Sequence, residues 1–299
     1  MNNLISPTVV SGAVLMLSLS GSAFASGRIT GAGATFPAQI YQRWFGMLAG
    51  NDGPMVNYQA IGSGSGRKAY LDQTVNFGAS DDPMIRRDRR KVKRGVVQIP
   101  MIGGTIAFGY NKPGCELKLT QEQAVKVAMS AIKDWSELGC APGPISWVHR
   151  SDGSGTTKAF TSSMAAFSSA WTLGTGKAVN WPSGVGAKGN AGVAAVIKKR
   201  EGAIGYLNQS YIRGSIKAAA LQNLAGEFIQ PSVEAGAIAL NQITLDQNLA
   251  GENPNPTAAG AYPIATLTWV LAYERGNGPD AATIKEVFNF MLSDDAQNV

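Results

Sequence analysis

The feature that most limits the folds open to this chain is a repeated pattern of an apolar segment, a glycine-rich turn and a helix-forming segment. It occurs in "RITGAGATFPAQIYQRWFGMLAG", where the spacing predicts a helix that starts near Pro37, and again in "MVNYQAIGSGSGRKAYLD". The segment "VNFGASDDPM" predicts a further strand that ends in polar residues. Three such units within about 80 residues predict an α/β sheet whose strand ends face a ligand.

The remainder of the chain continues this alternation. Thr120 and Gln123 predict a capping box at the start of a helix that runs to about Lys133, and "ISWVHR" predicts a strand that leads into "SDGSG" and another helix. The segment "WPSGVGAKGN" is predicted as a loop, and "YPIATLTWVLAYE" as a long apolar strand. No linker rich in proline and serine divides the 299 residues. If the chain forms two domains, it should therefore cross between them more than once, and the two domains should enclose a cleft.

Residues 1–25 predict an export signal. They carry no charged side chain, contain the apolar run "AVLMLSL", and place Ala23 and Ala25 as the small residues required for cleavage after Ala25. The alternative is a short buried helix. No other stretch approaches the roughly 20 apolar residues of a membrane span, so we expect an exported and soluble chain.

Cys115 and Cys140 are the only cysteines. In an oxidising compartment two cysteines most simply pair, so a disulfide worth about 3 kcal/mol is predicted. No metal site is expected, because the chain has one histidine, His149, and no C-x-x-C spacing. No cofactor is expected either.

The net charge of +6 is concentrated in "RRDRRKVKR", residues 86–94, where seven of nine residues are basic. One interpretation is a solvated helix face or loop. The other is a surface that attracts anions or an acidic partner.

The usual enzyme motifs are missing from the sequence. Residues 184–189, "GVGAKG", match G-x-G-x-x-G, but Trp181 and Pro182 precede the glycines where the dinucleotide fingerprint needs a strand. There is no Walker loop or G-x-S-x-G elbow, and a lone histidine beside Arg150 argues against a Ser-His-Asp hydrolase.

Three turns have the composition of anion sites: "GAGATFP", "GSGSG" at 62–66, and "SDGSGTT". A turn between a strand end and a helix start directs backbone N–H groups outward. Arg150 adds a planar, permanently charged fork, and Asp152 is its expected partner. The alternative is an Arg–Asp pair that only stabilises a turn. Together these turns predict a site for a small tetrahedral oxyanion.

Asp81 narrows the choice of oxyanion. A carboxylate repels a bound anion unless the ligand has a proton to donate, and at neutral pH phosphate keeps a proton whereas sulfate does not. Asp81 would therefore exclude sulfate. Asp82 adjoins it, and one of the two aspartates could instead cap a turn.

Six ordered motifs carry a resemblance to a known family: "TGAGATFP", "NYQAIGSGSG", "VNFGASDDP", "HRSDGSGTT", "WPSGVGAKGNAGVAA" and "GAIGYL". From about Ile29 to Val299 the chain resembles the periplasmic phosphate-binding proteins of high-affinity phosphate ABC transporters. The resemblance implies a two-lobed type II periplasmic binding-protein fold with a two-strand hinge. Lobe 1 would comprise 26–109 and 265–299, and lobe 2 would comprise 110–264.

The resemblance also implies a function and a set of site residues. The protein would be a monomeric, non-enzymatic periplasmic receptor that binds inorganic phosphate between its lobes and delivers it to the permease subunits of the transporter. Hydroxyl or backbone donors would come from both lobes, Asp81 would accept the phosphate proton, Arg150 would supply charge, and Asp152 would orient Arg150. The donors would be Thr35, Phe36, Ser63, Ser154, Gly155 and Thr156.

The chain departs from the family pattern in four places. Asp82 stands where the family usually has a small residue, so affinity or selectivity is expected to differ. The stretch from Cys115 to Cys140 differs from the common pattern, and the basic run 86–94 is not a family hallmark. The chain ends at "DDAQNV", short of the segment that usually completes the first lobe.

Other functions stay open on the sequence alone. The ligand could be another oxyanion, such as sulfate or arsenate. The basic run 86–94 could instead make the chain a surface protein that binds nucleic acid or another polyanion, although no nucleic-acid partner is expected. A secreted phosphatase would need a metal cluster or an activated nucleophile, and the sequence shows neither.

Overall fold

The computed structural model describes residues 27–299, so the predicted export signal and its cleavage site lie outside the described residues. The strands are β1 Arg28–Gly33, β2 Met55–Ala60, β3 Phe77–Ser80, β4 Val96–Asn111, β5 Lys118–Leu119, β6 Ser146–Arg150, β7 Val185–Ala187, β8 Ala203–Asn208, β9 Lys217–Ala218, β10 Ala220–Gln222, β11 Phe228–Ile229 and β12 Ala265–Tyr273. The helices are α1 Ala38–Gly50, α2 Ser63–Leu71, α3 Arg86–Arg89, α4 Gln121–Ala128, α5 Gly155–Phe167, α6 Gly189–Lys199, α7 Val233–Leu240, α8 Ala281–Met291 and α9 Asp294–Gln297.

The long strand β4 links two parallel sets of strands in one mixed sheet. The strand order is β2-β1-β3-β12-β4-β8-β6-β7. From Val96 to Thr105, β4 pairs antiparallel with β12, and from Ile106 to Asn111 it pairs with β8. The strands β1, β2 and β3 are mutually parallel on one side, as are β6, β7 and β8 on the other. The carboxyl ends of both sets therefore lie where a ligand can be held between them.

Each parallel set has its own apolar core. Around β1 and β3, helices α1 and α8 bury large side chains, including Tyr41, Trp44, Phe77 and Phe288. Around β6 and β8, α4 and α5 bury a second group, including Phe108, Trp147, Phe160 and Tyr206. As predicted, Tyr41, Trp44 and Leu48 are buried on α1, whereas the fourth predicted core residue, Ile40, is only half-buried.

Two local predictions in the middle of the chain were wrong. Helix α4 begins with the predicted Thr120–Gln123 capping box but ends at Ala128 instead of near Lys133, because Ser130 adopts a left-handed φ of 55°. The predicted loop 181–190 contains the short strand β7, since Val185 pairs with Val148 of β6. Pairing with a distant strand has no local sequence signature here.

Cys115 and Cys140 are joined by a disulfide, with their Cα atoms 5.4 Å apart. The loop that it closes contains α4 and the short 3-10 helix Trp135–Leu138. Cys115 is buried within the second core, so the bond ties this loop to the body of the molecule.

The basic run 86–94 forms α3 and the turn that leads into β4. Arg86, Arg87 and Arg90 are exposed. Asp88 within the run accepts a hydrogen bond of 2.8 Å from Lys91 and pairs with Arg67 at 3.4 Å. Across residues 27–299, no helix combines the length and the apolar character needed to cross a membrane.

Candidate functional site

The glycine turns of the two parallel sets meet at the carboxyl ends of their strands. The backbone N–H of Gly64, at the start of α2, donates to the carbonyl of Gly153 over 2.7 Å. Gly62 has a φ of 93°, and a Cβ added there would lie 2.2 Å from Oδ2 of Asp152. Glycine at 62 is thus required both by the backbone conformation and by the close approach of Asp152.

Asp81 lies at the centre of this junction, at the end of β3. The Oγ1 of Thr268 donates to Oδ1 of Asp81 over 2.6 Å, and the Oγ1 of Thr156 donates to Oδ2 over 3.1 Å. The backbone N–H of Asp81 donates to the Oγ of Ser63 over 3.3 Å. Since each carboxylate oxygen has a second lone pair, Asp81 can also accept a proton donated by a ligand.

Burial raises the pKa of Asp81 to about 6, and the neighbouring charge of Asp82 acts in the same direction. The hydrogen bonds from Thr268 and Thr156 and the charge of Arg150 oppose this shift and favour the ionised carboxylate. At neutral pH the group is therefore a buried hydrogen-bond acceptor with a negative charge.

Arg150, the last residue of β6, supplies positive charge, and the carboxylate of Asp152 holds its guanidinium in place. Its Nε and Nη2 donate to the two carboxylate oxygens of Asp152 over 2.7 and 2.5 Å. Burial favours the neutral Asp152 carboxyl, but the hydrogen bonds and charge of Arg150 outweigh it and lower the pKa of Asp152. Among residues 27–299, Nη1 of Arg150 has no hydrogen-bond acceptor. The pair thus presents one guanidinium nitrogen to a ligand.

The start of α5 provides backbone donors next to Asp81. Ser154 is the N-cap, and its Oγ accepts from the backbone N–H of Thr157 over 3.0 Å. The N–H groups of Gly155 and Thr156 occupy the first turn, where no intrahelical acceptor exists. A Cβ at Gly155 would lie 2.7 Å from both the Cβ of Asp81 and the Oγ of Ser63, so only glycine lets α5 approach this closely.

Thr35 and Phe36 follow β1 and reach the same junction. The Oγ1 of Thr35 accepts from the backbone N–H and the Nδ2 of Asn190, over 3.0 and 2.9 Å. The ring of Phe36 is buried in the second core, so its backbone, and not its side chain, is available to a ligand.

The structure brings all nine predicted ligand-contact residues to one junction, and it adds two that the sequence did not reveal. Asn190 at the start of α6 is fully buried and links Thr35 to Thr156, to which its Nδ2 donates over 3.3 Å. Thr268 lies on β12 beside a register shift whose extra residue, Met101, belongs to the neighbouring strand β4. The glycine–asparagine pair at 189–190 could have marked Asn190 as a site residue, whereas no local sequence feature marks Thr268.

Asp82 does not share the environment of Asp81. Its Oδ2 lies 2.7 Å from Nζ of Lys177 and 3.2 Å from Nη2 of Arg67. Within the described residues, no group of three or more His, Cys, Asp or Glu side chains is arranged to hold a metal ion.

Comparison with known proteins identifies the family. The chain matches the model of the PBP superfamily domain over residues 19–295. It is 38% identical over 280 residues to the phosphate-binding protein PstS of Pasteurella multocida, covering 88% of this chain and 80% of that protein. The chain belongs to the PstS family of phosphate-binding proteins.

Solved structures share the fold. A high-affinity periplasmic phosphate-binding protein (PfluDING), bound with phosphate at pH 8.5, superposes with a TM-score of 0.76 at 22% identity, covering 88% of this chain and 85% of that one. A phosphate-bound putative phosphate ABC transporter substrate-binding protein from Clostridium perfringens gives a TM-score of 0.69 at 20% identity, covering 91% and 96%. The predicted α/β type II periplasmic binding-protein fold is therefore confirmed.

Proposed function

We propose that this PstS-family protein captures hydrogen phosphate between two lobes and delivers it to the permease subunits of an ABC transporter. One observation carries the proposal. A buried carboxylate, Asp81, lies among hydroxyl and backbone donors close to the fixed guanidinium of Arg150. An acceptor inside a cluster of donors fits an oxyanion that is itself a hydrogen-bond donor.

Each residue has a distinct proposed role. Arg150 donates from Nη1 to a phosphate oxygen, and Asp152 fixes its orientation. The backbone N–H groups of Gly155 and Thr156 bind further oxygens with the help of the α5 dipole. Asp81 accepts the phosphate proton. The remaining donors are the hydroxyls of Thr35, Ser63 and Ser154 and the backbone N–H groups of Thr35 and Phe36.

The donors come from two separate portions of the chain, which we assign to lobe 1 (26–109 and 265–299) and lobe 2 (110–264). Because phosphate would contact both lobes at once, its binding stabilises the closed arrangement. The protein acts as a monomeric periplasmic carrier without enzymatic activity. The signal peptide directs export and is cleaved after Ala25.

Selectivity is the test of this proposal. We would titrate the chain from Ser26 onward with phosphate, arsenate and sulfate by calorimetry, for the wild type and for Asp81→Asn. An amide can donate to sulfate as well as accept from phosphate, so Asp81→Asn should reduce discrimination against sulfate by at least about tenfold, corresponding to one lost or gained charged hydrogen bond. Arsenate, which also keeps a proton, should bind both proteins.

The matched control is Asp72→Asn, which removes an exposed carboxylate from the end of α2. It should leave both affinities unchanged. Sulfate binding by the wild type as tight as phosphate binding would contradict the assigned role of Asp81, and turnover of a phosphoester would contradict the non-enzymatic role.

A further inference from the structure

Asp82 and Lys177 form an ion pair beside the phosphate site but outside it. The carboxylate follows β3, and Lys177 lies between α5 and β7, so the 2.7 Å contact joins the two portions assigned above to opposite lobes. The Asp82 side chain is 17% exposed and that of Lys177 is 30% exposed. The pair is therefore shielded in part from solvent, which strengthens it relative to an exposed one.

The Asp82 end of this pair is rigidly held. Arg67, a buried residue of α2, pairs with its carboxylate and donates to its backbone carbonyl. The Oγ of Ser80 accepts from the backbone N–H of Asp82 over 3.1 Å and donates to its carbonyl over 2.7 Å. These contacts fix the carboxylate one residue away from Asp81.

Lys177, the other member of the pair, is hydrogen-bonded to the start of α5, on the opposite side of the site. Its backbone carbonyl accepts from the N–H of Ser154, the N-cap of α5, over 2.9 Å. Helix α5 in turn places Thr156 against Asp81. Each member of the pair is thus connected, by one residue or one hydrogen bond, to an element that holds the ligand.

We infer that Asp82 and Lys177 are positioning residues that latch the closed lobes and slow the release of phosphate. This inference rests on the proposed function. The pair forms only where the two lobes meet, so its coupling free energy stabilises the closed state alone, while in an open state water solvates Lys177 and Asp82 keeps Arg67 as its partner. A contact made after the ligand has entered acts on dissociation more than on association.

A double-mutant cycle with Asp82→Asn and Lys177→Met tests the latch. Asparagine preserves the shape and backbone contacts of Asp82, and methionine keeps most of the aliphatic stem of Lys177. Release of radiolabelled phosphate into excess unlabelled phosphate should be about two- to fivefold faster for each single variant, the range typical of one partly exposed pair. The double variant should release phosphate no faster than the singles.

Two further variants separate a latch from a general loss of structure. Lys177→Arg keeps the charge and should restore a release rate near that of the wild type. Lys68→Met removes one member of the exposed Lys68–Asp72 pair on α2 and should change nothing. Raising the salt concentration should speed release from the wild type more than from either latch variant.

The outcomes distinguish this inference from the function on which it rests. A folded wild type that binds no phosphate would overturn both. Normal binding by the wild type, with release rates that are unchanged in the variants or that add independently in the double variant, would overturn the latch and leave the receptor function standing.

Discussion

At the scale of single residues, Asp81, the proposed acceptor of the phosphate proton, also affects the stability of the ligand-free protein. Its pKa rises from 3.8 to about 6 because burial disfavours the charged form. The folded state therefore binds this proton more tightly than the unfolded state does, and the free energy of unfolding falls as the pH rises from about 4 to about 6. Above that range the destabilisation is fully present.

Asp81→Asn should therefore stabilise the ligand-free protein at neutral pH. The amide carries no buried charge, and we expect the free energy of unfolding near pH 7.5 to increase by about 1–3 kcal/mol. Near pH 4, where the native carboxyl is already protonated, the gain should disappear. Urea titrations in phosphate-free buffer at both pH values measure this, and an equal or lower stability of the variant at pH 7.5 would contradict the explanation.

At the scale of elements, the approach of α5 to β3 depends on the absence of a side chain at Gly155. Gly155→Ala would place a Cβ 2.7 Å from the Cβ of Asp81. Moving α5 away from β3 would relieve this contact, but it would also displace the backbone donors at the start of α5. The roughly 1 kcal/mol by which alanine favours a helix over glycine offsets the strain of this contact, so the free energy of unfolding should change little. Phosphate affinity should fall by at least about tenfold, which one misplaced set of charged hydrogen bonds accounts for.

Gly192→Ala in α6 is the matched control for this substitution. A Cβ there would lie 3.6 Å from its nearest neighbour, an ordinary contact, so calorimetry should give the wild-type affinity. If Gly155→Ala also bound phosphate normally, the close packing of α5 on Asp81 would not matter for binding.

The elements that carry the site differ in how well the sequence predicts them. Residues in the turns 62–66 and 150–157 were predictable because glycine, hydroxyl and charged side chains within one short segment imply a strand end beside a helix start. Thr268 could not be found in this way. It reaches Asp81 only because β12 pairs antiparallel with β3 from far along the chain.

At the scale of the whole molecule, β4 is the structural link between the two sets of parallel strands. Its first part pairs with β12 and its second with β8, while the predicted ligand contacts lie on both sides of this change. Small-angle scattering should therefore show a smaller radius of gyration for the phosphate-saturated chain than for the ligand-free chain. Identical scattering curves would mean that binding does not require the lobes to close.

The sequence predicted the two-lobed α/β architecture through its repeated strand, turn and helix units and through its family resemblance. It did not predict the middle of the chain as well. Strands β9, β10 and β11 are two or three residues long and form by pairing with distant segments, so local periodicity does not mark them.

The most direct test of the central claim is a calorimetric titration of the chain from Ser26 onward with inorganic phosphate, after any co-purified phosphate has been removed by reversible unfolding. We predict saturable binding of one phosphate per chain, with an affinity that drops steeply in Arg150→Ala. The absence of binding heat from protein shown by circular dichroism to be folded, or binding that survives Arg150→Ala unchanged, would contradict the assignment of this junction as the phosphate site.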